Sequence, residues 1–259
     1  MAGERRPNGN VLPAIVFIHG FALDARMWQR QVDTFAPDFR ILTVDLPGFG
    51  PQARELGTVD PAAEVGRAMD ISGLVRAHVV ASSYGAAVAV DFALRNARRV
   101  QSLTLMGPFL LGRRMAVDAW TRCVAVANEG DRPTAAEMWL EDTLFDSIRN
   151  DEELYEELRL ITLDYGGAHW TGQVVSQWSD PDPAERLKEI DIPALVLSGE
   201  GDGPGFLQMA EAYARGLPRA RREIVKGAGH LPNIERPVEF NELLRNFLRS
   251  TSVSTAPRG

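Results

Sequence analysis

The stretch His78-Val79-Val80-Ala81-Ser82-Ser83-Tyr84-Gly85-Ala86-Ala87 carries the most decisive pattern in the chain. A β-branched apolar run turns at once into small residues and then into an alanine-rich segment, which reads as a strand passing directly into a helix. A serine at such a junction sits on a sharp turn, with its hydroxyl above the sheet and the next backbone N–H at a helix N-terminus. Small neighbours are needed because the turn is tight. The usual pattern is Gly-x-Ser-x-Gly. Here Ala81 stands at the first glycine position and Gly85 at the last. Ser83 fits this spacing with a strand before it, and Ser82 does not. The competing reading is a serine that caps the helix, since serine favours N-cap positions.

Working outward, similar apolar runs recur as AIVFIH at 14–19, ILTVD at 41–45, SLTLMG at 102–107, ALVLSG at 194–199 and REIVKG at 222–227. Their apolarity is continuous, which predicts strands covered on both faces and therefore a parallel sheet. Segments 60–71, 86–96, 206–217 and 237–248 predict the helices between them, giving the alternation of a doubly wound, mostly parallel α/β sheet. An active site in such a sheet lies beyond the carboxyl ends of the strands. Between Pro108 and about Arg186 the rhythm breaks, and apolar residues recur at helical spacing through 116–128, 134–144 and 152–163. This predicts four parts: a core in two pieces, 1–108 and 186–250, an all-helical cap over 109–185, and a flexible tail over 251–259. Trp120, Trp139, Trp170 and Trp178 fall in the insertion, and a cap over a catalytic face would turn some of them toward an apolar pocket. Phe109, Trp139, Tyr165 and Trp178 are the candidates for its wall.

Three other segments fit the serine. His19-Gly20-Phe21 follows the first strand and can present the Phe21 N–H opposite that of Tyr84, a pair of donors for a developing oxyanion. His19 is expected to hold this loop by hydrogen bonding. Asp45, in the turn Asp45-Leu46-Pro47-Gly48-Phe49-Gly50, is expected to bond local backbone N–H groups rather than to act as a catalytic acid. Late in the chain, Glu200-Gly201-Asp202 follows a strand, and Gly227-Ala228-Gly229-His230 follows the last one. The order Ser, Asp, His then gives Ser83, Asp202 and His230 as nucleophile, acid and base, with Asp202 preferred to Glu200.

Composition narrows the setting. The 259 residues are 45% hydrophobic and 24% charged, at globular averages, and the formal net charge is −7. That charge disfavours a nucleic-acid partner, and no basic block offsets it. The run 11–18 is interrupted by Pro13 and reads as a buried strand instead of a signal peptide. No stretch approaches the roughly 20 apolar residues of a bilayer span. A cytoplasmic protein is expected. Cys123 is the single cysteine and is expected in a buried helix position. No metal-ligand or nucleotide-phosphate motif is present, and the histidines at 19, 78, 169 and 230 are too scattered for a compact metal site.

On these motifs the chain resembles the α/β-hydrolase family over about residues 14–250. The phrase Gly-His-Leu-Pro-Asn-Ile-Glu-Arg-Pro from Gly229 resembles the closing segment of 3-oxoadipate enol-lactonases and related esterases. FIHGFALDARMW with DLPGFG is similar to pimeloyl-carrier methyl ester esterases. The resemblance implies cleavage of a small-molecule ester or lactone through an acyl-enzyme on Ser83, without a metal or organic cofactor. It leaves open a carbon–carbon bond hydrolase, a perhydrolase or a lyase using the same triad, or a pocket that binds a ligand without turnover. Such proteins commonly begin with an antiparallel hairpin, for which the residues before Val11 leave little room. The oligomeric state has no signal in the sequence.

Overall fold

The computed structural model describes residues 12–50, 56–112, 118–180 and 182–252. The segment where an N-terminal hairpin would lie falls outside them. Among the described residues eight strands are formed: β1 Ala14–Ile18, β2 Arg40–Val44, β3 Gly57–Val59, β4 Ala77–Ser82, β5 Val100–Met106, β6 Val174–Ser176, β7 Ala194–Gly199 and β8 Ala220–Val225. Six of them make one parallel sheet in the order β2-β1-β4-β5-β7-β8. The inner strands β1, β4 and β7 are buried along their whole length, and β5 in all but one residue, whereas the edge strands β2 and β8 are mostly half-buried. That difference is why the inner strands read as unbroken apolar runs.

The α-helices described before residue 109 are α1 Gln29–Phe35, α2 Pro61–Ile71 and α3 Tyr84–Arg95. Asp60 starts α2 by accepting the Ala63 N–H at 2.9 Å, with Pro61 in the first turn where its missing N–H costs nothing. Within 109–185, the expected insertion, lie α4 Asp118–Asn128, α5 Arg132–Leu140, α6 Asp146–Arg149 and α7 Glu152–Asp164. The core resumes with α8 Pro204–Gly216, α9 Pro232–Glu235 and α10 Pro237–Ser252. The helix α10 thus takes in Thr251 and Ser252, the first two residues of the expected tail. Cys123 is buried in α4, where its thiol donates to the Ala135 carbonyl at 3.2 Å and burial pushes its pKa up to about 11.

The insertion is not all helical, as its spacing had suggested. Its strand β6 pairs in parallel with β3 of the core, through Gly57↔Val174, Thr58↔Val175 and Val59↔Ser176. The Gly57 N–H donates to Gln173 and the Gln177 N–H to Val59, both at 2.7 Å. Three residues are too few to give a period, and the ladder joins backbone groups far apart in the chain.

In the main sheet the chain moves outward from β1 to β2 and then returns to β4 on the other side of β1. The loops after β1 and β4 therefore part at the carboxyl edge, the place where such sheets open a crevice.

Candidate active site

Ser83 lies between β4 and α3 with φ 49° and ψ −116°. Among the described residues only one other non-glycine has positive φ, Ala22 at 57°, in the loop after β1. Left-handed backbone at a non-glycine residue is strained and persists where surrounding contacts enforce it. Ser83 is held by its own N–H, which donates to Met106 at 2.9 Å, and by its carbonyl, which accepts from Ala86 at 2.9 Å and Phe109 at 3.2 Å. Although Ser83 occupies the N-cap position of α3, its side chain makes no capping hydrogen bond. Capping therefore does not explain this serine. Gly85 is required for a separate reason: a Cβ there would collide with the His19 carbonyl and come within 2.9 Å of that of Ile18.

The loop after β1 lies against this turn, since a Cβ on Gly20 would be 3.5 Å from the Ser83 Cβ. His19 fixes that loop. Its Nδ1 donates to the Gly20 carbonyl at 2.8 Å and its Nε2 accepts the Leu46 N–H at 2.9 Å, with the ring fully buried. Burial holds the His19 pKa below its usual value, so the ring stays neutral and keeps the lone pair that Leu46 needs. Among the hydrogen bonds of the described residues, none uses the N–H of Phe21 or of Tyr84. Asp45 departs from its expected local role. It accepts the Ala25 N–H at 2.7 Å and so joins the turn after β2 to the loop after β1.

His230 sits in the loop between β8 and α9. Its Nδ1 is 2.8 Å from Asp202 Oδ1, and both side chains are almost wholly buried. Because a carboxylate accepts, Nδ1 carries a proton, so that in the neutral tautomer Nε2 holds the lone pair. Asp202 Oδ1 also accepts the Gly203 N–H at 2.8 Å, which fixes the carboxylate on its own loop. Glu200 is exposed and turns to the Gly227 N–H at 3.2 Å. The structure thus brings Asp202, not Glu200, to the imidazole.

Two residues that sequence reasoning missed hold His230 in place. Glu235 accepts the Gly229 N–H at 2.7 Å on one carboxylate oxygen and the Leu231 N–H at 2.9 Å on the other, bracketing the histidine. Gly107, at the end of β5 with φ +48°, leaves room for the ring, because a Cβ there would lie 3.0 Å from His230 Cε1 and Nδ1. Its place at the end of the run SLTLMG was the only available signal.

Ser83 and His230 line one cavity of about 790 Å³, together with Phe21 and Tyr84. That volume suits a small-molecule ligand. Of the expected wall residues, Phe109, Trp139 and Trp178 line it. Tyr165 does not: it is buried behind the wall, stacked on Phe49 at 5.0 Å, with its hydroxyl 3.1 Å from Nδ1 of His169, which does line the cavity. Trp120 joins the wall, and Trp170 is a buried packing residue.

The family model for the alpha/beta hydrolase fold matches residues 13–237, and the chain belongs to that family. A 2-hydroxy-6-oxononadienedioate/2-hydroxy-6-oxononatrienedioate hydrolase of Paraburkholderia phymatum is 32% identical over 249 residues, covering 90% of this chain and 86% of that protein. Among solved structures, a thermophilic esterase from Thermogutta terrifontis superposes with a TM-score of 0.77 at 26% identity, covering 93% of this chain and 90% of its own. The enol-lactonase from Burkholderia xenovorans LB400 shares the fold, with a TM-score of 0.78 at 23% identity over 95% of this chain and 94% of its own. No helix among the described residues is long and apolar enough to cross a membrane.

Proposed function

We propose that the protein is a serine hydrolase that cleaves a carboxylic ester or lactone through an acyl-enzyme on Ser83. The observation that carries this reading is the His230–Asp202 pair, which leaves Nε2 unprotonated in the same cavity as a serine on a strained strand-to-helix turn. His230 Nε2 takes the Ser83 hydroxyl proton as Oγ adds to the carbonyl carbon, and Asp202 stabilises the imidazolium. The negative charge moves to the carbonyl oxygen, where the Phe21 and Tyr84 N–H groups receive it. The tetrahedral intermediate expels the alkoxide, which takes the proton from His230. Water then loses a proton to His230, attacks the acyl group and restores Ser83. Every proton and electron pair in this cycle comes from Ser83, His230, substrate and water, so the reaction calls for no cofactor. Residues 109–185 serve as the cap, supplying Phe109, Trp120, Trp139 and Trp178 to the cavity.

A second reading, hydrolysis of a carbon–carbon bond in a vinylogous diketone, is favoured by the name of the Paraburkholderia relative. A dienedioate carries two carboxylates, and the described residues lining the cavity include no Lys or Arg to pair with them. On the described lining this supports the ester. The test supplies one preparation with a p-nitrophenyl ester and with a vinylogous diketone, and labels it with a fluorophosphonate. Ester turnover and labelling are expected in the parent protein and in Ser82→Ala, and neither in Ser83→Ala. Turnover of the diketone alone would replace this reading with the second.

A further inference from the structure

The cavity wall is built of rings, with Phe21, Phe109, Trp120, Trp139, Trp178 and Phe206 among them. None of its described residues is Lys, Arg, Asp or Glu. Apart from Ser83 and His230, its polar side chains are Tyr84, Thr121, His169 and Ser176 and the indole N–H groups of Trp120, Trp139 and Trp178; Trp139 Nε1 and His169 Nε2 are single buried atoms without a partner. Thr121 is exposed, and His169 supplies no cation. The His169 ring stacks on Phe49 at 4.3 Å, its Nδ1 is taken by Tyr165, and burial lowers its pKa to about 4.

The remaining pair is different. The Tyr84 hydroxyl lies 2.6 Å from Ser176 Oγ, joining the helix after Ser83 to the insertion strand β6. No other hydrogen bond among the described residues engages either hydroxyl. Two hydroxyls bring two protons, and their mutual bond uses one. Whichever donates, the other hydroxyl keeps a proton for a ligand. Burial raises the Tyr84 pKa to about 12, so the pair is neutral.

We propose that the cavity selects an uncharged, ring-bearing ester or lactone carrying one neutral hydrogen-bond acceptor, which docks on the Tyr84–Ser176 hydroxyl pair. This rests on the ester-cleaving reading and specifies its substrate class. Tyr84 sets the spacing. Its backbone N–H faces the reacting carbonyl, and its hydroxyl stands one phenol ring away, so the acceptor belongs at the far end of a ring from that carbonyl. A hydroxyl, ketone or ether there exchanges water for a protein donor. A carboxylate there loses its water and finds no cation among the described lining residues, which is far more costly.

The test uses methyl esters of phenylpropanoate and of its para-hydroxy and para-carboxy derivatives, titrated into Ser83→Ala and followed by the fluorescence of the cavity tryptophans. The para-hydroxy ester is expected to bind about 5-fold more tightly than the unsubstituted one, and the para-carboxy ester at least about 100-fold more weakly. In the Ser83→Ala/Ser176→Ala double variant the ratio of the first two should fall to about one. A para-carboxy ester that binds as well as the neutral ones, a hydroxy preference that survives Ser176→Ala, or failure of all three to bind would overturn the proposal. The parent protein separates this from the underlying reading. Binding in the expected order without ester hydrolysis refutes the ester reading alone, and hydrolysis without the expected order refutes the substrate class alone.

Discussion

Asp202 and Glu200 share one loop, yet their side chains take different partners, one the buried imidazole and the other an exposed backbone N–H. Asp202→Asn is therefore expected to lower kcat on an activated ester by about 10⁴, the loss seen when the same change is made in a serine protease triad. Its thermal midpoint should change little. Glu200→Gln keeps an acceptor for Gly227 and should retain most of the activity; measuring kcat and midpoint for both variants checks the assignment. Ser82 makes a parallel case. Its hydroxyl is fully buried without a hydrogen-bond partner, so Ser82→Ala removes an unsatisfied group and should not lower the midpoint. At this scale chain order and residue type were informative about placement: Asp202 and His230 meet at 2.8 Å, and Ser83 lines the same cavity as His230. Glu235 was illegible because its role depends on two backbone N–H groups that only the folded loop brings to it. Tyr165 was misplaced for a related reason, since an aromatic residue in a helical insertion looks the same whether it forms a wall or supports one.

The loop that carries His230 is an element defined by its clamp. A buried carboxylate accepting two backbone N–H groups makes charge-assisted bonds, each stronger than a neutral one. Glu235→Gln preserves shape and one acceptor but sets an amide NH₂ against the second N–H. We expect a fall in kcat of about tenfold with KM little changed, and a lower thermal midpoint, because Glu235 acts on the histidine and does not touch the cavity. Glu235→Ala should be worse in both respects. A KM effect as large as the kcat effect would mean that Glu235 acts on substrate binding instead. The inner strands were easy to read for the reason that makes them stable: both faces are covered, so nearly every position is apolar. β3 and β6 escaped notice because neither is long enough to show a period, and their pairing partners lie more than a hundred residues apart.

For the molecule as a whole, the buried histidines set a limit at acid pH. His78 is almost fully buried against Ser102, and burial together with nearby Arg76 lowers its pKa to about 4; His169 is lowered to about 4 as well. In the unfolded chain both return toward about 6.5. Between these values the unfolded state binds more protons, so stability rises with pH. The contribution is complete above about pH 6.5 and is lost as pH falls toward 4, up to about 3 kcal/mol for His78. Denaturant unfolding at several pH values should show this slope, and His78→Gln should remove part of it; an unchanged slope would assign the acid sensitivity to other groups. The strand pair β3–β6 has a different consequence. An inserted segment is ordinarily interchangeable, joined to its host only where the chain enters and leaves. Here the host owns half of a two-stranded ladder, and excising 109–185 would strand Gly57–Val59 with unpaired backbone. Exchanging this insertion for that of another family member therefore demands a matching change fifty residues upstream, so the two segments are expected to be inherited together.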